Sequence, residues 1–194
     1  FDPDAHLKRF FSEGGKGDYI FLIDEAHNLV ERGRKMYSAQ LVKEQVMEIR
    51  RLVKASDVKL AKRLEECNKQ LLALKKECET YQVLDGVSHV ALKLMNVMSE
   101  LERYLEEPQN QEKRDEVLDF YFQVRSFLNI YEALDENYKI YTELGTDGRF
   151  RLNLFCINPA VNLERYISQG NSTVFFSATL LPIHYYKKLL SVEA

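Results

Sequence analysis

Between residues 38 and 136 the apolar residues recur at helical spacing, and this constrains the fold of the chain more than any other feature. Leu60, Leu64, Cys67, Leu71, Leu74, Cys78 and Tyr81 alternate steps of four and three. Such a seam belongs to helices packed side by side at a shallow crossing angle. It is preceded by Leu41, Val42, Val46, Ile49 and Val53 with the same period, and Ser56-Asp57 interrupts the two groups. A kink or phase slip is expected there, and a continuous helix would run for about 40 residues, roughly 60 Å. Asp85-Gly86 breaks the pattern before a second stripe, Val87, Val90, Leu94, Val97, Leu101 and Tyr104, which Pro108 and Asn110 end. A third stripe is Val117, Phe120, Tyr121, Val124, Phe127, Leu128, Tyr131 and Leu134. Short connections between long helices favour antiparallel neighbours, so residues 38–136 read as a helical insertion with an elongated core of its own.

On either side of the insertion the pattern changes. Tyr19-Ile20-Phe21-Leu22-Ile23 is a short apolar and aromatic run, as expected of a strand buried on both faces of a parallel sheet, and it ends in Asp24-Glu25-Ala26-His27. Ligands of such sheets gather at the carboxyl ends of the strands. Adjacent carboxylates repel and are costly to bury, so their position suggests a bound metal ion and a water to be activated, the Walker B arrangement of a nucleotide hydrolase. A helix cap is the plainer use of the same four residues, and the preceding strand favours the functional one. No HxxxH and no nearby Cys/His partner supports a metal-ligand role for His27.

After the helices, Tyr138, Ile140 and Tyr141 approach the turn Gly145-Thr146-Asp147-Gly148, and Phe150, Leu152, Leu154 and Phe155 follow it, which reads as a β-hairpin. Pro159 opens a short helix that Gly170-Asn171 closes. Thr173-Val174-Phe175-Phe176 is another buried strand, running into Ser177-Ala178-Thr179-Leu180 before a helix near Pro182. Hydroxyls at the ligand edge of a sheet can bond Asp, Glu or His side chains from a neighbouring strand; their plainer use is again a helix cap. At the other end, Leu7–Phe11 is expected to form a short helix, and Glu13-Gly14-Gly15-Lys16-Gly17 a flexible connector.

The fold class expected is therefore mainly α: an elongated antiparallel helical insertion, with a small α/β portion formed by both ends of the chain. The divisions are 1–37, 38–136 and 137–194.

Composition narrows the partners. With 194 residues, 45% hydrophobic and 29% charged, the chain is globular rather than disordered. A net charge of −3 leaves no global basic footprint, so nucleic-acid contact must come from local patches. Arg32, Arg34 and Lys35 form one, and Arg50, Arg51 and Lys54 another, the second balanced by Glu44 and Glu48. Most aromatic residues fall on helical stripes and read as core rather than as base-stacking platforms. Three cysteines, Cys67, Cys78 and Cys156, make no CxxC pair and point to a reducing compartment. No secretory or long apolar segment is present, so a cytoplasmic location and no membrane partner are expected. The chain starts at Phe1 and ends soon after an incipient amphipathic helix, as an excised fragment of a longer protein would.

Taken together these motifs resemble the segment from motif II to motif III of the XPD/DinG-like superfamily 2 DEAH-box DNA helicases. Asp24-Glu25-Ala26-His27-Asn28-Leu29 is similar to motif II, and Phe176-Ser177-Ala178-Thr179-Leu180 to motif III. Cys156-Ile157-Asn158-Pro159-Ala160 resembles the element at which the chain re-enters the first motor domain, and Phe1-Asp2-Pro3 with Leu7–Phe11 resembles the segment before motif II. The helical middle matches the Arch domain in position and character. The resemblance implies a bacterial, cytoplasmic, ATP-dependent 5′ to 3′ helicase of the DNA repair and replication type. The Arch would help to enclose the translocating single-stranded DNA. By resemblance Asp24 coordinates Mg²⁺, Glu25 is the catalytic base, and His27, Ser177 and Thr179 couple ATP state to DNA movement. The partners implied are single-stranded DNA and the remaining motor domains of the same polypeptide, in a monomeric parent protein. An iron–sulfur cluster is a feature of many members, but its ligands precede motif II and none lies in this chain. No GxxxxGK[ST] loop is present either, so the chain alone is expected to be inactive towards ATP. The competing reading is a non-enzymatic helical interaction module in which DEAH is incidental.

Overall fold

The computed structural model describes residues 17–107 and 113–191. The expected Leu7–Phe11 helix, Phe1-Asp2-Pro3, most of the glycine connector, and the stop at Pro108 and Asn110 lie outside them. The described residues form two compact units.

The first unit joins the two ends of the chain, up to Tyr37 and from Cys156 onward. Strand β1 (Ile20–Ile23) leads into helix α1 (His27–Met36). After the second unit, helix α6 (Ala160–Ile167), strand β6 (Ser172–Phe175) and helix α7 (Ile183–Leu190) complete it. Among the described residues no strand comes between β1 and β6, which pair directly and in parallel, with Ile20 opposite Ser172 and Ile23 opposite Phe175. Nor is β1 buried on both faces. Phe21 lies against Gly170, where a Cβ would fall 2.6 Å from its ring, but Ile20 and Leu22 on the other face are 66% and 69% exposed. Parallel strands of this apolar character are normally covered on both sides, and among the described residues nothing covers this one.

The second unit spans Ser38–Phe155. It contains strand β2 (Ala39–Val42), helices α2 (Lys43–Val53) and α3 (Val58–Glu77), strand β3 (Tyr81–Leu84), helices α4 (Ser88–Glu106) and α5 (Arg114–Glu132), and strands β4 (Tyr138–Leu144) and β5 (Phe150–Cys156). The first unit gives way to the second after Tyr37. The hairpin β4–β5, expected with the returning segment, belongs here instead, because β5 pairs antiparallel with β2 and β4 with β3 in the sheet order β2-β5-β4-β3.

Helices α2 to α5 bury most of the predicted stripes: Val46, Leu64, Leu94, Val97, Leu101, Val117, Val124 and Phe127 are all inaccessible to solvent, whereas Leu41 and Val42, expected to open the first helical stripe, lie in strand β2, where pairing with β5 holds them extended. Phe150, Leu152 and Leu154 of β5 are equally buried. The kink expected at Ser56-Asp57 is a full break. Ion pairs Glu44–Lys75 at 3.1 Å and Arg50–Glu65 at 2.8 Å show that α3 runs back along α2. Asp57 makes the reversal possible, since its Oδ1 accepts the Leu60 N–H at 2.9 Å and caps α3. The stripe ends earlier than its period suggests: Tyr81 leaves the helix for β3 and is 74% exposed. Both β2 and α1 lack the long apolar pattern of the other elements, and four residues pairing with β5 suffice to define β2. Mainly α, with a two-stranded parallel and a four-stranded antiparallel sheet, describes the whole.

Among the described residues no helix is long and apolar enough to cross a membrane.

Candidate functional site

Parallel pairing of β1 with β6 brings the two polar motifs together within the first unit. The Phe176 N–H donates to Ile23 O at 3.1 Å, and the Ala26 N–H donates to Phe176 O at 3.2 Å, so both chains leave the sheet side by side at its carboxyl edge. Here the backbone of Glu25 takes a left-handed conformation, φ 51°, and the Asp24 carboxylate accepts the Glu25 N–H at 2.7 Å. A non-glycine residue in that region costs about 1–2 kcal/mol, so the turn is held by its surroundings rather than by its own preference. Strain of this kind concentrates at functional sites.

Ser177 is the centre of a small network. Its hydroxyl donates to Glu25 Oε2 at 3.4 Å, and its oxygen lies 2.8 Å from His27 Nδ1 and accepts the Thr179 N–H at 3.3 Å. His27 Nδ1 is also 3.1 Å from Glu25 Oε2. With the serine proton directed to Glu25, the histidine must carry its own proton on Nδ1 to donate in turn. Four of the residues singled out in the sequence, Glu25, His27, Ser177 and Thr179, are thus joined by hydrogen bonds across the two strand ends. Thr179 takes part through its backbone rather than its hydroxyl.

Asp24 and Glu25 are exposed to solvent, whereas Ala26 behind them is fully buried. Ala26 and Val30 anchor α1, and Gly33 lets it approach the chain re-entering at Pro159: a Cβ on Gly33 would sit 2.9 Å from the proline Cβ.

Among the described residues no group of three or more His, Cys, Asp or Glu side chains is placed to hold a metal ion. Mg²⁺ does not require one, since it commonly binds through one or two carboxylates together with water and substrate phosphates. Asp24 fits that use: it is exposed, and the one bond seen to it here occupies Oδ1. No phosphate-cradling loop accompanies it in the sequence.

The basic residues proposed for nucleic acid divide differently from expectation. Arg34 is committed to the fold, donating from Nε to Ile157 O at 2.9 Å and pairing with Glu31 at 2.6 Å. Arg50 is engaged with Glu65. Arg32, Lys35, Arg51 and Lys54 remain exposed, and no ion pair to them is seen among the described residues. The first trio and the second belong to different units, so they do not form one patch within either.

Lysines on the solvent face of α3 escaped the sequence reading. Lys62, Lys69 and Lys76 lie seven residues apart and are all exposed. The same heptad arithmetic that located the apolar seam locates them, but only when applied to charge.

No protein-family model matches the chain, and no curated protein matches it.

Proposed function

We propose that this chain is part of an ATP-dependent, XPD/DinG-like 5′ to 3′ DNA helicase, carrying the Walker B and SAT elements of its first motor domain and the helical insertion between them. The observation that carries the reading is the hydrogen-bonded junction of Glu25, His27 and Ser177 at the carboxyl edge of two parallel strands. Residues 150 positions apart in sequence meet there with the polarity that hydrolysis and its coupling need.

In this reading Asp24 holds Mg²⁺, which would polarise the phosphoanhydride when nucleotide is bound. Glu25 orients and deprotonates the attacking water. Its carboxylate is already tied to Ser177 and His27, so a shift of the β6 edge changes the aim of the base directly. That is a physical route for coupling, through one shared hydroxyl, between nucleotide state and the strand that Ser177 terminates. The exposed apolar face of β1 and β6, with Ile20, Leu22 and Val174, is consistent with a larger motor sheet completed by other parts of the parent polypeptide.

The alternative is a non-enzymatic helical interaction module in which DEAH is incidental; the long apolar seams that could bind partner helices are buried within the second unit.

Glu25→Gln in the full-length parent is the test. DNA-stimulated ATP hydrolysis should fall by at least about 100-fold, the contribution typical of a positioned general base, while nucleotide binding persists. Hydrolysis within a factor of two of wild type would refute the assignment.

A further inference from the structure

We infer that the outward ridge of α3 is a binding track for the phosphate backbone of single-stranded nucleic acid, formed by Lys62, Lys69 and Lys76. At 100° per residue, positions seven apart drift by only about 20°, so the three ammonium groups share one narrow face. The track is straight and spans roughly 21 Å at 1.5 Å per residue. Its lysines are exposed, and no ion pair to any of them is seen among the described residues.

Two of the acidic residues beside the ridge, Glu65 and Glu66, are already neutralised, while Glu77 next to Lys76 is exposed with no ion pair to it seen among the described residues. Glu65 pairs with Arg50 at 2.8 Å, and Glu66 with Arg63 at 3.2 Å and Lys93 at 3.6 Å. Lys75 on the same helix shows the contrast: it is consumed structurally by Glu44 at 3.1 Å. The ridge is therefore a local excess of positive charge on a chain whose net charge is −3. Charge complementarity selects a polyanion. A flexible single strand can lie along a straight ridge and offer a phosphate to each lysine, whereas the curved backbone of a rigid duplex leaves it after a short contact. The choice of ligand rests on the DNA-translocating reading above; the ridge itself rests on geometry and charge.

The test measures fluorescence anisotropy of a labelled 20-nucleotide oligo-dT with the 194-residue chain, from 50 to 200 mM salt. Three neutralised phosphates predict a log–log salt slope of about −2, hence an affinity loss of about 20-fold across that range. Lys62→Gln, Lys69→Gln and Lys76→Gln together should flatten the slope by about 2 and weaken binding at least 10-fold at 50 mM. Glutamine has nearly the same helix propensity as lysine, so the circular dichroism of the variant should not change. A control, Lys187→Gln with Lys188→Gln on α7, should bind as wild type does. The ridge is refuted if the wild-type chain does not bind oligo-dT at 50 mM salt, if the triple variant keeps affinity and slope, or if a 20-base-pair duplex binds more tightly. Those outcomes leave the Glu25 test of the parent enzyme standing, and failure of the Glu25 test leaves these measurements standing.

Discussion

Replacing Asp57 by alanine should destabilise the second unit markedly. Asp57 is only 8% exposed and does two things at once. Its Oδ1 accepts the buried Leu60 N–H and caps α3, while Oδ2 meets the guanidinium of Arg103 on α4. Loss of an N-cap costs about 1 kcal/mol, rising towards 2 where the N–H is left without water. Loss of the ion pair adds about 0.5–1 kcal/mol. The guanidinium is 38% exposed and retains Glu100 at 2.9 Å and Glu107 at 2.6 Å, so it is not stranded. Asp57→Ala should therefore cost about 2–3 kcal/mol. Asp57→Asn, which keeps an oxygen for Leu60, should cost only about 0.5–1 kcal/mol. Urea denaturation followed by helical ellipticity measures both, and a double-mutant cycle of Asp57→Asn with Arg103→Gln should return a coupling of about 0.5–1 kcal/mol. If asparagine proves as damaging as alanine, the cap is not what Asp57 supplies. A coupling indistinguishable from zero would remove the ion pair from the account.

Glu44 gives the fold an acid-sensitive joint: burial pushes its carboxyl up, but the Phe150 N–H at 2.9 Å and the Lys75 ammonium at 3.1 Å outweigh this and hold it below the ordinary 4.5. A depressed carboxyl contributes its stability above the unfolded value and loses it as pH falls through the folded one. Glu44→Gln, which keeps an oxygen for the Phe150 N–H, should thus destabilise by about 0.5–1 kcal/mol at pH 7, with the difference shrinking below pH 4.5 in paired urea titrations; a constant difference down to pH 3 would contradict the linkage. Gly33→Ala sets propensity against sterics: alanine gains about 1 kcal/mol in a helix, but its Cβ would meet the Pro159 ring at 2.9 Å, where neither backbone can yield easily. Net destabilisation in a thermal melt is expected, and a raised melting temperature would show that α1 does not pack as described.

The helical middle was legible because its signal is redundant. Each of the three long stripes repeats one period over four or more turns, and a residue such as Leu64 or Val97 cannot leave the core face without taking its helix with it. The break at Ser56-Asp57 was visible as an interruption, but whether a chain bends or reverses there depends on Asp57 finding both Leu60 and Arg103. Strand β3 was hidden for the opposite reason. Four residues hold too little pattern, and Tyr81 happens to continue the helical period that precedes it.

At the candidate site the residue types and the strand-end position of Asp24, Glu25 and Ser177 were readable from local order. Their meeting was not, because a separation of 152 residues between Glu25 and Ser177 carries no local constraint. It is closed by the backbone ladder of β1 and β6. For the same reason sequence could list arginines but not sort them: Arg34 and Arg50 look as free as Arg32 and Arg51 until Ile157 O and Glu65 are found beside them. By itself, then, the sequence determined the helical unit, its core and the chemical types at two strand ends, since periodicity and composition act over neighbouring residues. Pairing of the strands, reversal of α2 into α3, and the division of charges between structural bonds and open surface were decided only in three dimensions, where distant groups compete for the same partners.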